Sequence, residues 1–357
     1  MKYKKIIVKI GSNVLTQPDG KPDITRMAHL IQQVATVIGQ GVEVILVSSG
    51  AVASGRSAIQ LPEKYDPVAR RQVLAAVGQV KLIQTYNELL AQHDLTCAQV
   101  LVTREDFRDR QHYLNMKNCL TALLQNGIIP VINENDVVSV TELMFTDNDE
   151  LSGLVAAMMD VEALFILSNV DGIFTAPPSQ PGAVLISEIT DLKQSLSRAI
   201  STEKSEFGRG GMLTKTNIAR KVARLGIAVH IANGQQEGII LALLGGSPPG
   251  SRFVPHKTAP GRKKWIAHAD IAVKGEIIIN DGAAQALRAG SATSLLPVGI
   301  VGLVGRFDKG DVVGIFTQTG QSVGLGIAQY SSDKAQERLG KQRQRPLVHY
   351  DYLFLTE

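Results

Sequence analysis

The stretch Ile6-Ile7-Val8-Lys9-Ile10-Gly11-Ser12-Asn13 decides how the chain is read. Its β-branched run is short and almost wholly apolar, and it stops at a glycine, as a strand covered on both faces does. Runs of the same kind recur at 42–47, 96–102, 128–132, 164–167 and 228–231, with helical patterns between them, clearest at 24–38 and 66–91. This alternation predicts βαβ units and an α/β fold, a three-layer αβα sandwich around a mainly parallel open sheet. In such sheets ligands bind beyond the carboxyl ends of the strands, so the loops that follow the strands are where chemistry is expected.

Composition sets the outer bounds. The 357 residues suffice for two domains, and 44% hydrophobic with 20% charged residues is ordinary for a globular protein. Thirty-three glycines against 5% aromatics suit many tight strand-to-helix turns. A net charge of +4 favours small anions mildly and does not by itself argue for nucleic acid. Two cysteines, Cys97 and Cys119, are too few for a disulfide framework or a zinc site and are expected to be buried, reduced thiols. The basic start is followed by an apolar run broken at Lys9 and Gly11, and no run reaches the roughly 20 residues of a membrane span. The expected location is the cytosol, away from membranes.

The texture changes near residue 245, where Gly245-Gly246-Ser247-Pro248-Pro249-Gly250 reads as the exit from the first domain. Domains are expected at 1–255 and 270–357, with a polar, basic linker over 256–269. The second contains short, turn-punctuated runs at 276–280, 299–304, 312–317 and 323–329 and one helical stretch at 283–288, the pattern of a small β-barrel. Near its end Lys334, Arg338, Lys341, Arg343 and Arg345 form a basic stretch, read as a solvated helix face because it lacks the interleaved aromatics that stack bases.

Four post-strand segments carry chemistry. Lys9-Ile10-Gly11-Ser12 offers backbone amides and a cation to a phosphate, although a lysine snorkelling from a strand end is the plainer alternative. Ser48-Ser49-Gly50-Ala51 puts hydroxyls and amides at a helix start, suited to an anion, or is simply a tight turn. Asn133-Glu134-Asn135-Asp136, resuming at Asp147-Asn148-Asp149-Glu150, crowds amides and acids at a strand end, where an N-cap accounts for only one of them. Gly208-Arg209-Gly210-Gly211-Met212-Leu213-Thr214-Lys215 resembles a phosphate cradle with its parts in the wrong order for a Walker A loop. Neither a Walker A, a GxGxxG fingerprint, a Gly-x-Ser-x-Gly elbow nor His-Glu-x-x-His occurs in the chain. The histidines have no metal-ligand spacing, and no protein-held metal is expected. Two lysines and two glycine-rich anion sites on one parallel sheet point to phosphoryl transfer, which needs positioning and charge neutralisation above all.

As an ordered set, these segments, with Ala75-Ala76-Val77-Gly78-Gln79 and Arg110-Gln111-His112-Tyr113-Leu114-Asn115, resemble the glutamate 5-kinase (γ-glutamyl kinase) family of the amino acid kinase superfamily. The region 275–330, with Ser294-Leu295-Leu296-Pro297-Val298-Gly299-Ile300, looks like the PUA domain that many of these kinases carry. The resemblance covers essentially the whole chain. It implies the amino acid kinase fold and the reaction of MgATP with L-glutamate to give L-glutamyl 5-phosphate, the first step of proline synthesis.

Carried over residue by residue, it implies that Lys9 and Lys215 bind the ATP phosphates and stabilise the transferred group. Asp149 orients both lysines. Gly11, Ser12, Gly210 and Gly211 add backbone contacts, and Ser168, Asn169, Arg209, Met212, Leu213 and Thr214 complete the nucleotide side. Ser49, Asp136 and Asn148 hold glutamate, with the Gly50 and Ala51 amides nearby. Proline as a feedback inhibitor and a dimeric or tetrameric assembly also come with the family. Three positions depart from its pattern, all on the nucleotide half: Arg209 for threonine, Ser168-Asn169 for Thr-Asp, and Ala176 where an acid is usual. Other superfamily members (acetylglutamate kinase, aspartokinase or nucleoside monophosphate kinase) and an RNA-binding protein acting through the C-terminal module are the competing readings.

Overall fold

The computed structural model describes residues 2–62, 64, 66–138, 147–178, 180–192, 211–245, 248–256, 273–289 and 293–355. The chain divides into two compact units, Met1–Asp106 with Leu114–Thr258 and Phe107–Tyr113 with Ala259–Glu357. The linker expected over 256–269 lies, apart from its first residue, outside the described residues.

The first sheet is built on the opening stretch. Strand β1 (Lys5–Ile10) pairs in parallel with β2 (Glu43–Ser48) on one side and β5 (Ala163–Ser168) on the other. Beyond β2 lie β4 (Ile128–Glu134) and the edge strand β3 (Thr96–Val102), and beyond β5 lies β7 (Ala228–Asn233), all parallel. Two short strands extend that side, β8 (Ser251–Phe253), antiparallel to β7, and β6 (Glu188–Ile189). The breaker run ending at Gly250 is therefore not the exit from this unit. It turns the chain into one more strand, and Gly250 is required there: φ is +86°, and a Cβ would lie 2.3 Å from the Ile231 carbonyl.

Side-chain alternation along β1 assigns the two faces. Ile6, Val8 and Ile10 join the core formed with α2 (Ile24–Gly39), α4 (Pro67–Ala91) and α9 (Ile239–Leu243). Ile7 and Lys9 have the opposite parity, toward the layer that contains α7 (Asn148–Met159) and α8 (Met212–Arg224). Each fully buried Ile or Val in this double-sided core contributes about 1.5–3 kcal/mol. The sequence order reverses between β1 and β5, which is where such a sheet opens a crevice.

The second unit holds a mixed five-stranded sheet in the order β10 (Ile300–Gly305), β9 (Gly275–Ile279), β11 (Val312–Thr317), β12 (Ser322–Ala328) and β13 (Val348–Leu355). Helices α10 (Asp281–Arg288) and α11 (Ser332–Arg338) accompany it, and Ile277, Leu287, Val313, Ile315 and Val323 form its separate core. The basic stretch is only partly a helix face. Lys334 and Arg338 sit on α11, while Lys341, Arg343 and Arg345 follow it, Arg343 with φ +58°. Both cysteines are free thiols, but the expectation that they are buried fails. Cys97 is half-buried because β3 is an edge strand, and Cys119 is exposed on α6 (Arg110–Gln125). Among the described residues no helix is long and apolar enough to cross a membrane.

One crossing fixes the entrance to the crevice. Helix α3 (Ala51–Ala58) lies backbone-to-backbone on α4: a Cβ on Gly78 would stand 1.8 Å from the Ala51 carbonyl, and one on Gly55 2.0 Å from that of Leu74. Gly78→Ala is expected to lower stability by about 1–3 kcal/mol through forced separation of the helices. Gly39→Ala, at a helical position with nothing within 4 Å of a Cβ, is neutral or stabilising by up to about 1 kcal/mol. Urea denaturation midpoints of the two variants test this contrast.

Candidate active site

The centre of the site is a buried carboxylate between two ammoniums. Asp149, in the first turn of α7, is fully buried; one oxygen accepts from Lys215 Nζ at 2.8 Å and the other pairs with Lys9 Nζ. Lys9 is only 4% exposed, so the snorkelling alternative is excluded. Each element brings its residue for a local reason. Lys9 sits on the α7 side of β1. Asp147 caps α7, its Oδ1 accepting from the Asp149 and Glu150 amides at 2.8 and 3.1 Å. Gly211 is the N-cap of α8, one turn before Lys215.

Electrostatics reinforces the arrangement. Burial alone would push the Asp149 carboxyl up, but Lys9 and Lys215 override it and hold it well below the ordinary carboxylate range. Burial would likewise depress Lys215, and Asp149 raises it instead. Asp147 behaves oppositely: burial, then the Asp149 charge, push its carboxyl up to about 6. Two ammoniums on Asp149 leave a positive charge at the end of β1 that Asp147 offsets only as it ionises.

A polar network stands beside this triad. Asn148 Nδ2 lies 2.9 Å from the Ser48 carbonyl, 3.0 Å from Ser49 Oγ and 2.9 Å from Asn133 Oδ1. A carbonyl only accepts, so this atom must be the amide nitrogen, and Asn148 Oδ1 has no partner among the described residues. Asn133 Oδ1 also accepts from the Glu134 amide, and its Nδ2 donates to Gln79 Oε1 on α4 at 3.0 Å. Gly50, at φ +104°, turns the chain from β2 into α3, beginning at Ala51. Asp136, 7% exposed, accepts from Arg71 Nε at 3.0 Å and from Arg71 Nη2.

Both groups line one cavity of about 470 Å³. It gathers Lys9, Gly11, Ser12, Ser168, Asn169, Gly211, Met212 and Lys215 on one side and Ser49, Gly50, Ala51, Asp136 and Asn148 on the other, with Asp149 between them. Most of the residues singled out from the sequence therefore converge. Leu213 and Thr214 do not line it, because on α8 they point away from the face that carries Met212 and Lys215; Leu213 is 54% exposed. Arg209 and Gly210 lie outside the described residues. The lining also contains residues that the loop-by-loop reading did not assign: Arg71, Asn133, Glu134 and Asp147. Asn133 and Asp147 were in the crowded segments, and their neighbours drew the assignment. Arg71 lies inside a long helix, where nothing but its polarity distinguishes it. Among the described residues no three His, Cys, Asp or Glu side chains form a metal-binding group.

Glycine-ended strands feeding a lysine–aspartate–lysine array, without a Walker A loop, define a phosphoryl-transfer enzyme of the parallel-sheet type. Residues 4–233 match the model of the amino acid kinase family and residues 275–349 that of the PUA domain. A glutamate 5-kinase of Bacteroides thetaiotaomicron is 53% identical, over 99% of both chains, and one of Chlorobaculum tepidum is 50% identical, over 99% of this chain and 98% of its own. Two solved structures share the fold at low identity. UMP kinase from Bacillus anthracis (TM-score 0.50, 16% identity) covers 72% of this chain and 99% of its own. Isopentenyl phosphate kinase from T. acidophilum (0.51, 17%) covers 70% of this chain and 99% of its own. The chain belongs to the amino acid kinase family and, within it, to the glutamate 5-kinase group.

The raised Asp147 carboxyl makes stability depend on pH with a defined sign. A carboxyl that titrates near 6 when folded and at 3.8 as a free group binds more protons in the folded state between those values. Its contribution is present below about pH 4 and is lost as pH rises through 6. Asp147→Asn keeps a cap oxygen and removes this dependence. The variant should gain in melting temperature relative to the parent between pH 4 and pH 7, and a difference constant over that range would contradict the assignment.

Proposed function

We infer that the chain transfers the γ-phosphoryl group of ATP to the side-chain carboxylate of L-glutamate, giving L-glutamyl 5-phosphate and ADP. The observation that carries this reading is the single cavity in which the Lys9–Asp149–Lys215 array adjoins Ser49, Asn148 and Asp136. Near-full-length relatives named glutamate 5-kinase support the choice of acceptor over acetylglutamate, aspartate or a nucleotide.

The chemistry follows from charge. A glutamate side chain titrates near pH 4.3, so the attacking oxygen is already ionised at neutral pH and no general base is needed. The obstacle is the approach of two anions. Lys9 and Lys215 lower it, and Asp149 holds both ammoniums at a fixed spacing without neutralising them completely. The Gly211 amide and Ser12 supply further donors on the nucleotide side, where the Gly11 amide is itself committed to the Leu167 carbonyl at 3.0 Å, and Ser168, Asn169 and Met212 flank it. Ser49, Asn148 and Asp136 hold the amino acid, assisted by the Gly50 and Ala51 amides. Two cations and the amide at the start of α8 fit the phosphates of a nucleotide. MgATP, when bound, supplies the group transferred. Both Asp149 oxygens are engaged by lysines, so Mg²⁺ would be held mainly through those phosphates.

On the family resemblance the proposal extends to a cytoplasmic homo-oligomer of two or four chains, inhibited by proline, with RNA contact as an accessory property of the PUA domain. Light scattering, L-proline in the activity assay, and a labelled-RNA shift at low salt are the direct tests.

Coupled ADP release should occur with L-glutamate and not with N-acetylglutamate, aspartate or UMP; turnover confined to one of the latter three would sink the acceptor assignment. Lys9→Ala and Lys215→Ala should each fold and lose on the order of 10²–10³ in kcat. Full activity in either removes that lysine from the mechanism.

A further inference from the structure

We propose that Arg71 reads the α-carboxylate of the amino acid, making Arg71 and Asp136 together the receptor for its zwitterionic head group. The inference rests on the glutamate reading above and adds a specificity-determining residue to it.

Asp136 is buried, and in the absence of ligand it needs a cation. Arg71 supplies one from the first turns of α4, and both residues line the cavity. The contact with Asp136 is one-sided, and Glu134 Oε2 stands 3.9 Å from Arg71 Nη2. Arg71 Nε and Nη2 both address Asp136 Oδ1. Arg71 Nη1 and Asp136 Oδ2 make no hydrogen bond among the described residues. A planar guanidinium has two usable edges, so one edge can stay on Asp136 while the other takes a second carboxylate. The pair is also tied to its surroundings. Gln72, the next residue of α4, donates to the Val137 carbonyl at 2.8 Å, so helix and loop are held together on both sides of the contact.

An α-amino acid head group presents an ammonium and a carboxylate on one carbon. The cation that reads the carboxylate must therefore stand next to the acid that reads the ammonium. Among the described residues four cations line the cavity: Lys9, Arg56, Arg71 and Lys215. Lys9 and Lys215 are engaged with Asp149. Arg56 is exposed at the far end of α3, and no contact joins it to Asp136 among the described residues. Arg71 alone touches Asp136. Inserting the zwitterion gives a closed ring of alternating charge: guanidinium, Asp136, ammonium, α-carboxylate and back to the guanidinium. A ligand with the α-carboxylate masked leaves Arg71 uncompensated on that edge and binds worse, which is discrimination by an unmet charge.

The test compares L-glutamate with its α-amide, L-isoglutamine, which keeps the ammonium and the γ-carboxylate and loses only the α charge. Each is scored by its KM or, for a ligand not turned over, its competitive inhibition constant. In the parent enzyme glutamate should be favoured on the order of 10²-fold. In Arg71→Gln the preference should fall to about threefold by weakening of glutamate alone, with the KM for ATP unchanged. Arg71→Lys, which keeps the charge without the fork, should lower the preference about fivefold and serves as the reading if Arg71→Gln does not fold. A preference that persists in the variants overturns the inference, whether both ligands weaken together or neither does, and equal weakening would mean that Arg71 only positions Asp136. Failure of the parent to turn over glutamate would instead overturn the proposed function.

Discussion

The site depends on a carboxylate that cannot leave. Asp149 has no contact with solvent and two ammoniums for partners, so its charge is fixed and so are theirs. Breaking such a set by removing one member leaves an uncompensated buried charge, which is why the cluster behaves as a unit. Three elements separated along the chain contribute to it: the end of β1, the start of α7 and the first turn of α8. The parallel part of the sheet makes that meeting possible, because it delivers the C-terminal ends of β1 to β5 and β7 to the same side. Charge-fixing and fold are thus one constraint seen at two scales.

A second constraint works through close packing. The α3–α4 crossing at Gly55 and Gly78 brings the backbone that follows Ser49 against α4. The same helix carries Gln79 to Asn133 and Arg71 to Asp136. One helix therefore sets the position of the loops after β2 and β4 together. Its bulk is held by Leu82, Tyr86 and Leu90 in the core, and its polar residues are aimed as a consequence. The Ser48 hydroxyl, bonded to the buried Tyr86 hydroxyl at 2.8 Å, ties the end of β2 to the same helix.

What the sequence disclosed follows from these two constraints. Buried parallel strands announce themselves as unbroken apolar runs, so β1, β2, β4, β5 and β7 and the loops after them were legible, and with them Lys9, Ser49, Asp136 and Asp149. The strands β6 and β8 are two and three residues long, and so few residues carry no period to read. Strand β13 was missed in a stretch whose polar residues mask the alternation. Arg71 was illegible for a different reason, and Gln79, quoted within the resemblance, had no role assigned to it. On a long helix polar residues are expected everywhere on the outer face, and only the crossing geometry shows which of them turn inward. The cysteines misled because apolar neighbours were taken for burial, whereas β3 is an edge strand.

The distribution of charge in the cavity bears on how a substrate lies in it. The Lys9–Asp149–Lys215 array carries a positive charge that Asp147 offsets only in part, while Arg71 stands between two acids, Asp136 and, at 3.9 Å, Glu134. Glutamate has the complementary division, a neutral zwitterionic head and an anionic end. Placing the head, with its ammonium, at Arg71, Asp136 and Glu134 and the side-chain carboxylate toward the two lysines matches charge at both ends. An N-acetylated amino acid loses the ammonium and leaves Asp136 facing an amide. Aspartate keeps the head but falls one methylene short of the lysines, so that satisfying one end strains the other. Selectivity on this view comes from the spacing between two charge patterns, one fixed by β1, α7 and α8 and the other carried by α4.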